Sequence, residues 1–246
     1  MADYAIIIPA YNEEALLEET ILATRRAMAE VPLSGQLIVV DNNSSDRTAK
    51  VARKKGADLV IFESKNQIAR ARNTGARHAD APLLVFIDAD TKAPPATLKK
   101  ALDLLQSGEI VGGGARIVMD QDVSAIVASL TRNWNRVGTI FRYAAGSFFY
   151  CRADGFDEVG GFDESVYAGE EVWLAKRLKR WGRQRNLKFE VISDPPVVTS
   201  GRKSDWFSTW DFVKQLLVIF LLPGSTRSRK FCRVWYERPD TTPDGS

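Results

Sequence analysis

The chain has 246 residues, 45% of them apolar and 26% charged, which is the composition of a folded globular protein rather than a disordered one. Lys and Arg number 34 against 31 Asp and Glu, and a net charge of +3 is too even to point to a nucleic-acid partner. Two distant cysteines, Cys151 and Cys232, exclude a disulfide framework, and the single histidine, His78, excludes His-rich zinc sites and makes a Ser-His-Asp triad improbable.

The elements follow in chain order. Tyr4 to Ile8 is a short β-branched run that predicts a buried strand; Pro9 and the charges after it cut the run short, so no leader peptide is expected and the cytoplasm is the expected compartment. Glu13 to Glu30 carries apolar residues near helical spacing. A strand is expected at Leu37–Val40 and a helix from Asp46 to Lys55, with Ser44 or Ser45 as its N-cap. A strand at Asp58–Phe62, an Arg- and Ala-rich helix at Ile68–Ala79, a strand at Leu83–Ile87 and a helix at Pro95–Gln106 come next, then a strand-like Ile110–Val118 opened by three glycines. The second half is less regular. It predicts a helix at Ala125–Phe141, a strand at Gly146–Cys151, a helix at Glu170–Trp181 and a last strand at Phe189–Ile192. Trp206 to Leu222 is strongly apolar, and the Pro-, Thr- and Gly-rich tail after Arg238 reads as disordered.

Strands alternating with helices over short loops predict a doubly covered, mostly parallel sheet of the α/β class. The runs at Ile6–Ile8, Leu37–Val40 and Leu83–Ile87 are continuous rather than alternating, as strands buried on both faces are. Such sheets bind ligands beyond the carboxyl ends of their strands. The residues at those ends are Pro9-Ala10-Tyr11-Asn12-Glu13, Asp41-Asn42-Asn43-Ser44-Ser45-Asp46, Glu63-Ser64-Lys65-Asn66 and Asp88-Ala89-Asp90. A rim this rich in carboxylates suits a divalent metal, and a metal suits a phosphate ligand. Neither a Gly-x-Gly-x-x-Gly after the first strand nor a phosphate-binding G-x-x-x-x-G-K-[ST] is present, which disfavours dinucleotide binding and excludes a P-loop.

These motifs, with Ala71-Arg72-Asn73-Thr74-Gly75, Gly160-Gly161-Phe162-Asp163-Glu164 and Gly169-Glu170-Glu171, resemble the family 2 glycosyltransferases in order and spacing from about Tyr4 to about Lys203. The resemblance implies a GT-A fold, a Rossmann-like sheet flanked by helices, over residues 1–204. Residues 1–114 would bind nucleotide and metal, 115–204 the acceptor, and 205–237 would form an apolar helix and basic segment. It implies transfer of a sugar from a nucleotide diphosphate-sugar, UDP-sugar first among them, to a saccharide or lipid-linked acceptor, with inversion and with Mg²⁺ or Mn²⁺. Asp90 would be the direct metal ligand and Asp88 would touch the ribose or a metal-bound water. Asp41, with Pro9, Ala10, Tyr11, Glu13 and Asn43, would hold the nucleoside. Arg72 would reach a phosphate or hold an Asp in place. Glu171 would be the base, with Glu170 as its alternate, although the family pattern has Glu-Asp here. The family's metal-binding histidine near the domain end is missing from Val197–Lys203, where Arg202 and Lys203 stand ready to steady the diphosphate. Residues 206–222 read either as an interfacial helix at the inner face of a membrane or as a helix packed on protein or on a second copy. Two rival readings stay open: a non-catalytic nucleotide-sugar binder, and a sugar-1-phosphate nucleotidyltransferase, disfavoured because its activation loop is Gly-rich and basic.

Overall fold

A computed structural model describes the chain except residues 122–124, 142–145, 203–205, 209, 212–213, 216–217, 219–221, 223, 233–235 and 237–246. Eight strands form one sheet: β1 (Tyr4–Ala10), β2 (Gly35–Asp41), β3 (Leu59–Phe62), β4 (Leu83–Ile87), β5 (Thr91–Lys92), β6 (Ile110–Met119), β7 (Phe148–Arg152) and β8 (Lys188–Thr199). Seven helices accompany them: α1 (Leu17–Ala29), α2 (Thr48–Lys54), α3 (Ile68–Arg77), α4 (Pro95–Gln106), α5 (Ala125–Phe141), α6 (Ala153–Glu158) and α7 (Glu170–Arg183). The strand order is β3-β2-β1-β4-β7-β6-β8-β5. The β3-β2-β1-β4 half is parallel throughout, β6 pairs with β8 in parallel, and β7 and β5 run antiparallel to their neighbours.

The continuous apolar runs have the physical origin expected of them. Ile6, Ile8, Leu37, Val39, Val85 and Ile87 pack into one core, while Ala5, Ile7, Ile38, Val40, Leu84 and Phe86 pack into the other, on the opposite face of the same strands. Phe148 and Tyr150 join the first core and Phe149 and Cys151 the second, so β7 is covered on both sides although it is antiparallel.

The glycine run is explained by strand packing. A Cβ on Gly113 would lie 1.8 Å from the Glu190 carbonyl oxygen and 2.4 Å from the Tyr150 hydroxyl. Only a glycine lets β6 pass there between β7 and β8.

Two expectations are corrected, and two elements are added. Neither Ser44 nor Ser45 caps α2: Arg47 is the cap residue, and Asp46 accepts the Thr48 N–H at 2.9 Å. Ser44 instead accepts the Asn12 N–H at 3.0 Å and ties the loop after β1 to the loop after β2. The last strand does not stop at Ile192 but runs to Thr199, because the register jumps from Ala115↔Ile192 to Ile117↔Val197 and leaves Pro195 and Pro196 in the unpaired step, where a missing N–H costs no ladder bond. The two-residue β5 and the polar α6 are too short to show a period, and the sequence does not mark them.

Candidate active site

The carboxyl ends of β1, β2 and β4 and the start of α7 open onto one cleft. Its wall includes Pro9 and Ala10 at the end of β1, Tyr11 and Glu13 just after it, Asn42 after β2, Asp88 and Asp90 after β4, Arg72 of α3, and Glu170 and Glu171 of α7. The cleft therefore brings together nine of the residues singled out from the sequence. Asp41 and Asn43 are not in its wall. The Asp41 carboxylate accepts the Ser44 N–H at 3.1 Å and is buried beneath the loop, and Asn43, at φ 66°, is exposed on the outside of that turn; the residue that faces the cleft is the one between them, Asn42. Asn42 is itself fixed: its Nδ2 donates to the Lys65 carbonyl at 2.7 Å and its Oδ1 accepts the Gln67 N–H at 2.8 Å.

Arg72 is the organising cation. It is 1% exposed, and its guanidinium donates from Nη1 to Glu170 and from Nη2 to Asp88, both at 2.7 Å, and from Nη2 to the Gly146 carbonyl at 2.8 Å. The Phe162 ring lies 5.2 Å from its Cζ. One planar fork thus links α3, α7 and the β4 end, which a lysine point charge does not do. Burial works against its charge, but Asp88 and Glu170 hold it ionised.

Its neighbour Asn73 plays another part. It donates to the Phe162 carbonyl at 2.9 Å and accepts the Phe162 N–H at 2.8 Å, which pins the Gly160–Glu164 turn to α3. Asn73 is therefore a brace for the cleft and not part of its wall.

Glu170 and Glu171 open α7, where the helix N-terminus favours negative charge. Desolvation opposes it and raises both carboxyls; with Glu170 beside it, Glu171 is pushed up to about 8. Glu170 is spent on Arg72, whereas Glu171 has no ion-pair partner among the described residues. A Cβ on Gly146 would lie 3.5 Å from the Glu171 carboxyl carbon and 3.4 Å from Arg72 Nη2, so this position borders both groups at ordinary contact distance.

The other end of the cleft is held by Arg202. β5 follows Asp90 directly and pairs with the end of β8, Thr91 against Thr199. That pairing places residues 200–202 over the Asp88–Asp90 turn, with Ser200 N–H donating to the Asp90 carbonyl at 3.0 Å. Arg202 Nη2 reaches both Glu13 oxygens at 2.5 Å and lies 3.5 Å from Asp90 Oδ2, and its Cζ stands 4.9 Å from the Trp206 ring. Lys203 lies outside the described residues.

No group of three His, Cys, Asp or Glu side chains able to hold a metal occurs among the described residues. The donor set present is two hard carboxylates on one short turn, which fits a Mg²⁺- or Mn²⁺-type ion that takes one or two protein oxygens and completes its shell with phosphate and water. His78 is exposed, and its Nδ1 lies 2.8 Å from the Thr74 carbonyl on its own helix, far from any such role.

Four residues of the cleft wall were not read from the sequence in this role: Ile68, Gly146, Ser147 and Tyr236. Asn66 closes the rim after β3. Tyr236 comes from the C-terminal segment, where no motif or period points back to the sheet.

An α/β sheet whose acidic strand ends open onto a cleft is compatible with several enzyme classes, and the comparisons narrow them. Residues 5–160 match the model of Glycosyl transferase family 2, and the chain belongs to that family. The glycosyltransferase AglE of Haloferax volcanii is 25% identical over 204 residues, covering 78% of this chain and 66% of that protein. The dolichol-phosphate mannosyltransferase of Pyrococcus furiosus is 32% identical over 118 residues, covering 46% of this chain and 33% of that protein. The chain thus spans from a third to just under two thirds of the length of these curated relatives. Among solved structures, the mannosyltransferase PcManGT of Pyrobaculum calidifontis, in complex with GDP-Man and Mn²⁺, superposes with a TM-score of 0.64 at 21% identity, covering 94% of this chain and 64% of that one. Glucosyl-3-phosphoglycerate synthase of Mycobacterium tuberculosis, with Mn²⁺ and UDP, gives a TM-score of 0.62 at 17% identity, covering 89% and 79%. The fold is that of the GT-A glycosyltransferases.

Proposed function

We propose that this chain transfers a sugar from a nucleotide diphosphate-sugar, most simply a UDP-sugar, to an acceptor hydroxyl, with inversion at the anomeric carbon. The observation that carries the proposal is the convergence of Asp88, Asp90, Arg72 and Glu171 on one cleft at the sheet's carboxyl edge. The acceptor oxygen attacks the anomeric carbon, its proton passes to Glu171, and the bond from that carbon to the diphosphate oxygen breaks with both electrons leaving on the diphosphate. Asp90, with Asp88, would hold a divalent ion, which when bound neutralises the diphosphate. Arg202 pairs with Glu13 and has the charge and reach to turn toward the phosphates. Pro9, Ala10, Tyr11 and Asn42 line the end that would take the nucleoside, with Asp41 buried behind them.

The names of relatives that act on dolichol-phosphate and undecaprenyl-phosphate favour a lipid-linked acceptor and a peripheral contact with the inner face of a membrane through 206–222. Of that segment only part is described; Trp210 and Leu222 are exposed there. No helix is long and apolar enough to cross a membrane among the described residues.

Thermal stability in UDP, GDP and dTDP, with and without Mn²⁺, tests the reading, because binding to the native state raises the melting temperature. A metal-dependent rise with one nucleotide, lost in Asp90→Ala, is expected. Folded protein that responds to none of them rules the reading out. A response without any turnover would favour the non-catalytic binder.

A further inference from the structure

The outer face of α7 concentrates charge that the chain as a whole does not have. From Val172 to Lys188 seven residues are Lys or Arg and none is Asp or Glu, although the whole chain carries only +3. Their partners sort these cations. Arg177 donates to the Val159 and Gly161 carbonyls, Arg185 pairs with Glu158 at 2.9 Å, and Lys188 lies 3.8 Å from Glu109. Lys176, Arg180 and Arg183 are exposed, and none of them has an ion-pair partner among the described residues. With Trp173, which is 48% exposed, they recur at helical spacing and form one stripe along α7. Leu174, Leu178 and Trp181 fill the other side of the helix and pack into the core. The Lys176 ammonium stands 4.8 Å from the centre of the Trp173 ring.

The stripe starts beside the cleft, since Trp173 follows Glu171 within one helical turn. Two 3-10 turns, Ser225–Arg227 and Arg229–Phe231, stand next to that start: the Tyr167 N–H donates to the Thr226 carbonyl at 2.5 Å, and Cys232 packs on Ala168 just before α7. They add exposed Arg227, Arg229 and Lys230 and the Phe231 ring, which is 46% exposed. The cations attract any anionic surface, but exposed Trp and Phe rings among them gain from an apolar layer, and the interface of an anionic bilayer offers both. We propose that the α7 face from Trp173 to Arg183, with the two turns beside it, is a docking surface for a membrane of anionic lipids. The choice of partner rests on the lipid-linked acceptor reading above. The inference deepens that reading, because it assigns the membrane contact to residues outside 206–222 and sets it on the helix that carries Glu171.

Co-sedimentation with vesicles of phosphatidylcholine alone, and of phosphatidylcholine with phosphatidylglycerol, tests the surface without any nucleotide. Wild type is expected to pellet only with the anionic vesicles. The triple variant Lys176→Gln, Arg180→Gln, Arg183→Gln should lose about tenfold or more in partitioning at an unchanged melting temperature. A second triple variant, Lys50→Gln, Arg53→Gln, Lys54→Gln, removes the same charge from exposed positions of α2 and should bind like wild type. Equal losses in the two would reduce the effect to net charge and overturn the inference. Loss confined to Trp210→Ser with Leu222→Ser would put the contact in 206–222 and overturn it too. So would polyuridylate that strips wild type from the vesicles at equal phosphate, since nucleic acid would then be the better occupant. Wild type that pellets with neither vesicle, yet gains melting temperature from UDP or GDP with Mn²⁺, would overturn the docking surface and leave the transferase reading standing. Wild type that pellets with the anionic vesicles and responds to no nucleotide would do the reverse. If the triple α7 variant melts early, Arg180→Gln and Arg183→Gln taken singly must each show part of the loss.

Discussion

Glu171 carries the sharpest expectations at the residue scale. Burial and the neighbouring Glu170 push its carboxyl up to about 8, so it is largely protonated at neutral pH and becomes a base as pH rises. The free-enzyme profile, kcat/KM against pH, should climb through about 8, and a profile flat from pH 6 to 9 would remove Glu171 from the role. Glu171→Gln should cost transfer about 10² to 10⁴ in rate and leave nucleotide affinity in place. Stability moves in the opposite sense. An unfolded glutamate titrates near ~4.3, so between there and the folded value the native state holds the extra proton and loses stability as pH rises. Glu171→Gln should therefore gain in melting temperature over wild type at pH 8 and gain little at pH 4. Arg72 gives the converse case. Arg72→Ala leaves Glu170 and Asp88 facing each other without a cation, a loss of about 3–5 kcal/mol by the measure of broken buried pairs. Arg72→Lys should recover part of the stability but not the geometry, since one ammonium does not span both carboxylates. Urea midpoints for the two variants check this, and equal midpoints would show that the fork is not what matters.

At the scale of elements, the close approach of β6 to β8 depends on a residue without a side chain. Gly113→Ala puts a methyl where the Glu190 carbonyl stands, so β6 and β8 must part. A loss of about 1–3 kcal/mol, the usual cost of overpacking, is expected from denaturant unfolding, and a wild-type midpoint would contradict the packing described here. The same parting would shift the far end of β8, where Thr199 pairs with Thr91 and sets Arg202 over Asp90. The strands themselves were legible: Leu83–Ile87 and the helix Pro95–Gln106 stand where the periodicity places them, because a strand buried on both faces and a helix opened by proline leave unambiguous patterns. The end of β8 was not, because Asp194-Pro195-Pro196 reads locally as a break and only the bulge against β6 accommodates it.

At the scale of the molecule, the cleft is assembled from segments distant in the chain. Hydrogen exchange should therefore respond at all of them together. UDP with Mn²⁺ is expected to slow exchange in the loops after β1, β2 and β4, at the start of α7 and around residue 236, and to leave the β6–β7 ladder unchanged. Protection confined to the strand-end loops would show that α7 and the C-terminal segment stand apart from ligand binding.

The sequence by itself determined the α/β alternation, the two-faced burial of the central strands, the family, and the identity of most cleft residues, because each is written in local periodicity or in a short motif at a strand end. It could not say that Arg72 spends itself on Glu170 and Asp88, that Asn42 rather than Asn43 faces the cleft, or that Arg202 closes on Glu13. Those depend on where a side chain's partner lies in space, and the partners are up to 189 residues away. Tyr236 is the extreme case. Nothing in its neighbourhood in the chain marks it, and only the packing of Cys232 and Tyr236 against Tyr167 and Ala168 brings it to the cleft wall.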